Sequence, residues 1–226
     1  METHCTQKCV AEFIGTFGIV FFGCGSVVIG GESLGLVGIA LAFGLIVGTM
    51  VASLGHVSGA HINPAVTFMA LVTGRMKPPM AAAYVAAQLL GGIAGAGALE
   101  AVADPASWQA AHGGATTLSV SVYAGLMTEF ILTFFLVLVI FGSAIDPRGS
   151  KIGPAAIGAV VTLDILLGGP LTGASMNPAR TFGPALINGT WEHHWVYWAG
   201  PFFGSAAAAI VYEKTMMRPE SKAEAS

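Results

Sequence analysis

"GHVSGAHINPAVT" (Gly55–Thr67) and "GPLTGASMNPART" (Gly169–Thr181) align without a gap, with seven of thirteen positions identical. The shared pairs are Gly55/Gly169, Gly59/Gly173, Ala60/Ala174, Asn63/Asn177, Pro64/Pro178, Ala65/Ala179 and Thr67/Thr181. A second match lies upstream in each half, "AEFIGTF" (Ala11–Phe17) against "TEFILTF" (Thr128–Phe134). The chain thus reads as two copies of one unit, about residues 9–101 and 122–212, in a single domain of 226 residues. What an Asn-Pro-Ala triplet does in each copy depends on the solvent around it.

Composition identifies that solvent. Hydrophobic residues make up 54% of the chain and charged residues only 9%, where a soluble domain carries about 25% charged residues. Apolar runs near 20 residues recur, so the bilayer is the expected surrounding. A net charge of −3 without a basic block gives no reason to expect a nucleic-acid partner. The three cysteines, Cys5, Cys9 and Cys24, show neither a paired metal spacing nor a disulfide framework. No cofactor or metal is expected.

Six spans are read: Cys9–Gly30, Leu36–Leu54, Met80–Ala101, Val122–Ile145, Ile152–Gly168 and His194–Tyr212. The first is longer than the apolar core of a signal peptide, about 7–15 residues, so it is read as a retained helix. Two apolar pieces, Ala65–Val72 and Ala179–Ile187, are left over. Neither can cross a core of about 30 Å at 1.5 Å per helical residue. Gly44/Gly48, Gly91/Gly95 and Gly200/Gly204 are small-xxx-small pairs that mark helix crossings.

Lys8, Arg75, Lys77, Arg148, Lys151, Lys214, Arg218 and Lys222 fall in the N-terminal tail, the connections after spans two and four, and the C-terminal tail. An even number of spans puts all four segments on one side. That side holds eight of the nine cations, so it is expected to be cytoplasmic with both termini there. The polar tail, 213–226, is expected to be disordered. The ninth cation, Arg180, stands alone on the other side, directly after the second Asn-Pro-Ala. Because three spans separate the repeats, they enter the membrane in opposite senses, which is the signature of transporters and channels.

A half-span helix that starts at Pro64 or Pro178 wastes no N–H, because the first helical position has no partner for one. Asn63 and Asn177 then take the N-cap. Two such helices inserted from opposite faces would bring two partly positive N-termini to the membrane centre. The non-helical backbone before them, Ser58–Ile62 and Thr172–Met176, is tolerable at that depth only when packed in protein or lining a cavity.

These motifs, "SGAHINPAVT" and "TGASMNPARTFGP", resemble those of the aquaporins, the major intrinsic protein family, and the resemblance runs from about Cys9 to Tyr212. It implies an all-α membrane protein of six transmembrane helices plus two re-entrant half-helices. It also implies a homotetramer with one pore per subunit, embedded in membrane lipid. The implied function is a passive channel that conducts water in single file and excludes protons and ions. By resemblance, Arg180 is the outer selectivity-filter arginine, completed by Phe43, Ile165 and Ala174. The motif residues Asn63, Pro64, Ala65, Asn177, Pro178 and Ala179 form the pore centre, and His61 lines the cytoplasmic half. Strict water channels carry His where this chain has Ile165, which opens ammonia, hydrogen peroxide or glycerol as alternative solutes. The glycerol branch has Asp after the filter arginine, where this chain has Thr181.

Glu12 and Glu129 occupy equivalent places in the two copies, and each is expected to accept N–H groups from a re-entrant loop. His56 is expected to pack in its loop. Asp164, next to Ile165, is expected to face a neighbouring helix or the outer interface. A secondary transporter is the alternative from another class, but only His61 and Asp164 could serve as its coupling site. An intramembrane enzyme would need a pair such as Ser58 and His61, and the second copy has no equivalent histidine.

Overall fold

The computed structural model describes residues 2–217, and every regular element among them is helical. Helix α1 (Glu2–Gly18) continues through π-helical turns at Ile19–Cys24 and Ser26–Gly30. There follow α2 (Gly31–Ser58), α3 (Pro64–Val72), α4 (Pro78–Val102) and the short α5 (Pro105–Ala110). The second half has α6 (Val122–Ile140), α7 (Gly153–Thr172), α8 (Pro178–Asn188) and α9 (Val196–Val211). Helices α6 and α9 each end in a π-helical turn, Phe141–Ile145 and Tyr212–Met216.

Among the described residues, four helical runs are long and apolar enough to cross a membrane: His4–Ser58, Pro78–Val102, Val122–Ile145 and Gly153–Thr172. The first is 55 residues long, about twice what a bilayer needs. It is two crossings, divided by Gly31 at φ 33° and Gly35 at φ 58°, ψ −179°. With α9 the crossings number six. Helices α3, with 9 residues, and α8, with 11, are half-helices. The observed crossings generally outrun the expected ones: α2 starts five residues before Leu36 and runs on to Ser58.

The two copies pack alike. Helix α1 lies against α4, and α6 against α9. A Cβ at Gly91 would strike the Phe13 carbonyl oxygen, and one at the equivalent Gly204 would strike that of Phe130. The copies join where α2 crosses α7. There a Cβ on Gly44 or Gly158 would fall 2.5 Å from the other's carbonyl oxygen. Each half-helix also reaches into the other copy, α3 against α9 and α8 against α4. Ser205 on α9 donates to the Ala65 carbonyl at 2.6 Å. Buried apolar groups such as Val20, Phe43, Leu132 and Ile157 form the interior, while Leu45, Leu163, Leu167 and Phe203 stand exposed. An exposed apolar girdle is what lipid requires and water forbids.

The cation-bearing segments gather at one end. Arg75, after α3, pairs with Glu213, and Arg148, after α6, donates to the Met216 carbonyl at 2.7 Å. The start of the expected disordered tail is therefore ordered, since Tyr212–Met216 form a turn held by two arginines. Its last stretch, "RPESKAEAS", lies outside the described residues. In the same cluster the Arg148 guanidinium and backbone N–H hold the Asp146 carboxyl well below the usual carboxylate range, and the Tyr212 hydroxyl adds a bond at 3.1 Å.

Gly44→Ala should destabilise the protein by about 1–3 kcal/mol, the range for an overfilled contact, and lower the unfolding temperature in detergent. Gly97→Ala is the control, because its Cβ meets nothing within 4 Å. Asp146 gives a pH prediction. Its depressed folded-state value makes its contribution complete above the unfolded value of about 3.9, and lost only as pH falls through the lower folded value. A spin label at Met217→Cys, with the native cysteines replaced by serine, should stay immobile down to about pH 5 and loosen only in stronger acid. Asp146→Asn should loosen it at neutral pH.

Candidate functional site

The site is built where the two half-helices start. Asn63 has an extended backbone, and its side-chain oxygen accepts from Ala65 N at 2.8 Å. Asn177 accepts from Ala179 N at 3.0 Å and Arg180 N at 3.2 Å. Pro64 and Pro178 take the first helical positions. Each asparagine also reaches across. Asn63 Nδ2 donates to the Met176 carbonyl at 2.8 Å, and Asn177 Nδ2 donates to the Ile62 carbonyl at 2.9 Å. An amide nitrogen has two N–H groups, so one on each asparagine is committed to the opposite loop and one is left over.

The loops that lead to the half-helices hold unusual backbone. After the left-handed glycines Gly59 and Gly173, the non-glycine residues Ala60, Ile62, Ala174 and Met176 also have φ of 45°, 45°, 45° and 53°. Such residues cost of order 1–3 kcal/mol each and persist only where their surroundings hold them. Two carboxyl groups do so. Glu12 Oε1 accepts from Ser58 Oγ at 2.7 Å and His61 N at 2.9 Å, and its Oε2 accepts from Ile62 N at 2.5 Å. Glu129 Oε1 accepts from Thr172 Oγ1 at 2.7 Å and Ser175 N at 2.9 Å, and its Oε2 accepts from Met176 N at 2.7 Å. Both glutamates are fully buried. Tyr84 and Tyr197 donate at 2.8 Å to the carbonyls of Ser58 and Thr172, where α2 and α7 end. The carbonyls of residues 59–61 and 173–175 accept no hydrogen bond from the described residues.

These loops border a cavity of about 270 Å³. Phe43 from α2, Ile165 from α7, Ala174 from the second loop and Arg180 from α8 all line it. Arg180 is only 4% exposed. Its Nη1 donates to the Gly114 carbonyl at 2.9 Å, and its Cζ sits 4.9 Å from the centre of the Phe43 ring. Its Nε has no partner among the described residues. Away from Arg180 the wall turns apolar, with Val47, Leu136, Ile157 and Val161, and ends near Arg75 and Met76. Arg180 and Arg75 are the only Lys, Arg, Asp or Glu residues that line it, and the asparagines, His61 and Ser175 are its other polar side chains.

His61 lines the same cavity. Its Nδ1 lies 3.1 Å from Thr67 Oγ1, which already accepts from Gln88 Nε2 at 2.9 Å. The Thr67 hydroxyl can donate its proton to Nδ1 or accept a second bond from it, according to the ring tautomer. Ser58 donates to Glu12 and His61 pairs with Thr67, so no serine–histidine dyad forms. His56 does not pack in a loop; it stands exposed on the last turn of α2. Asp164 is buried and does not line the cavity, and its Oδ2 has no partner among the described residues.

Several members of this arrangement carried no sequence signal of their own. Gly114 lies in the connection between α4 and α6, which the sequence reading left without a role. Thr116 in the same connection lies 3.1 Å from Thr181, directly after Arg180. Tyr84 and Gln88 read as ordinary members of a span. Their spacing of four from each other places them on one helix face, but nothing in one sequence says that this face meets Glu12.

A family model described as major intrinsic protein matches residues 1–212. The chain belongs to the major intrinsic protein family. As a member of that family it is an integral membrane channel for water or small solutes, and not an enzyme. It is 43% identical over 226 residues to Aquaporin TIP4-4 of Zea mays, covering 96% of this chain and 89% of that one. It is 44% identical over 217 residues to Aquaporin-2 of Bos taurus, covering 95% and 80%. Among solved structures, the aquaglyceroporin from Plasmodium falciparum superposes with a TM-score of 0.83 at 23% identity, over 93% of this chain and 96% of that one. That likeness concerns the fold.

Glu129→Gln puts an N–H₂ group against donors that now meet an acceptor. It should cost about 1–3 kcal/mol for each donor left unpaired and abolish channel function in reconstituted vesicles. Glu12→Gln should behave alike. Retained flux and stability in both variants would count against the carboxyl groups as supports of the loops.

Proposed function

We propose that this major intrinsic protein is a passive channel that conducts water in single file and excludes protons and ions. The observation that carries the reading is the reciprocal pairing of Asn63 and Asn177 with the opposite loops, in the wall of one cavity that Arg180 closes at one end. The uncommitted carbonyls of the two loops supply acceptors for a file of water. The remaining N–H groups of the two asparagines supply donors at its centre. A water molecule that passes there must turn its oxygen toward both amides, which breaks the hydrogen-bonded chain along which a proton would hop. Repulsion of cations by an arginine and by half-helix dipoles is the general mechanism of aquaporin-type pores, and this chain has the parts for it.

Phe43, Ile165, Ala174 and Arg180 form the selectivity filter in this reading. One wall offers guanidinium donors and the other is apolar, so a small polar molecule is held by one side only. Ile165 and Ala174 bring no further donor. That favours a second reading in which ammonia, hydrogen peroxide or glycerol also pass. The curated relatives named above are aquaporins, and Thr181 after Arg180 favours water over glycerol. The cation-rich end is cytoplasmic with both termini, the membrane is that of the cell, and the chain assembles as a homotetramer with one pore in each subunit.

Stopped-flow light scattering on proteoliposomes tests this. Wild type should shrink faster than empty liposomes under an impermeant osmolyte, with no dependence on proton or sodium gradients. Arg180→Ala should keep water flux and add a cation or proton leak. Ile165→His should keep water flux and lower any glycerol or ammonia flux by about tenfold, the effect of roughly 1.4 kcal/mol at a constriction. Folded wild-type protein without flux above the lipid, or with gradient-coupled flux, would overturn the reading.

A further inference from the structure

Three sulfur atoms converge at the cation-rich end, away from the pore. Cys5 and Cys9 are four residues apart on α1, so their side chains share a face. Residues at that spacing are neighbours on a helix, with Cβ atoms about 5–6 Å apart, so both thiols can turn toward one ion. Cys5 Sγ also lies 3.9 Å from Met80 Sδ, in the first turn of α4. All three residues are partly exposed rather than sealed in the interior.

We propose that Cys5, Cys9 and Met80 form a binding site for a soft monovalent metal ion, Cu(I). Two thiols and a thioether are the soft donors that select Cu(I), whereas a hard or borderline divalent ion would want imidazole or carboxylate. Two sulfurs bound to one ion at about 2.3 Å, the length of a metal–thiolate bond to zinc, can lie no more than about 4.6 Å apart. A separation of 3.9 Å corresponds to an S–metal–S angle of about 116°, close to the 120° of a trigonal site, with bonds of that length. Cys9, one helical turn from Cys5 on the same face of α1, supplies the third corner. Binding breaks two S–H bonds and releases two protons to solvent, and the copper stays in its Cu(I) state throughout.

The ligand on α4 also connects to the pore. Met80, Tyr84 and Gln88 follow at intervals of four on one face of that helix. The Tyr84 ring lies 5.3 Å from that of His61, and its hydroxyl holds the Ser58 carbonyl. Gln88 holds Glu12 and Thr67. An ion tying α1 to α4 at Met80 therefore braces the helix face that supports the first loop.

The test is anaerobic titration of the purified chain in detergent with Cu(I) against the chromophoric chelator bicinchoninate. Wild type should withdraw one Cu(I) per chain and show a near-ultraviolet sulfur-to-copper absorption. Cys5→Ser or Cys9→Ser should weaken binding by about 100-fold, and Met80→Leu by about tenfold, spanning the usual cost of a lost supporting interaction at a metal site. Cys24→Ser should change nothing, and excess Zn(II) should not displace the copper. Gel filtration of each variant checks that it is folded. Wild type that competes no better than the Cys5→Ser/Cys9→Ser double variant, or binding that is lost with Cys24 instead, would overturn the proposal.

Discussion

A peptide group at the centre of a bilayer has no water to bond to, and leaving it unpaired costs several kcal/mol. Everything at the middle of this chain answers that constraint. Helices α3 and α8 stop halfway, so their first N–H groups and the loops before them sit at the depth where hydrocarbon would otherwise be. The asparagines cap their own helices and then trade one amide N–H with the opposite loop. The glutamates collect the loop N–H groups, and two tyrosines take the last carbonyls of α2 and α7. The loop carbonyls and asparagine amides that remain unpaired lie along the cavity. In this sense the pore is the part of the backbone accounting that is left to water.

The same constraint explains how far the sequence could be read. The half-helices were legible because short apolar pieces behind Asn-Pro-Ala have few other uses, and because the pattern occurs twice. Glu12 and Glu129 were legible for a similar reason, since an acidic residue in a span must have a partner. The crossings were underestimated at their ends because polar and small residues such as Ser33 or His56 extend a helix beyond the hydrocarbon without adding apolar signal. Gly114, which meets Arg180 through its carbonyl, was not legible at all. A backbone acceptor leaves no trace in residue identity. Nor does the order of Tyr212–Met216 show in composition, because it comes from Arg75, Arg148 and Asp146 far away in the chain.

The two copies share a scaffold but not a lining. Tyr84 and Tyr197 do the same work, and so do Gly91 and Gly204. Yet His61 stands opposite Ser175 and Val66 opposite Arg180 in the alignment of the repeats, and all four line the cavity. Residues that hold the backbone are constrained by geometry that both halves must satisfy. Residues that face the lumen are free to differ, and their differences give the cavity a charged end and an apolar one. A symmetric support with an asymmetric lining is how one duplicated unit yields a pore with direction.

The exchange between Asn63 and Asn177 also sets a timetable for synthesis. The N-terminal copy leaves the ribosome first, and its loop from Gly59 to Ile62 then has no Asn177 to meet. Until the second copy arrives, the Ile62 carbonyl and the Asn63 amide lack their cross-loop partners. The low-cost place for such a segment is water. A first half-helix held at the membrane surface would keep those two groups solvated until α6 to α8 are made.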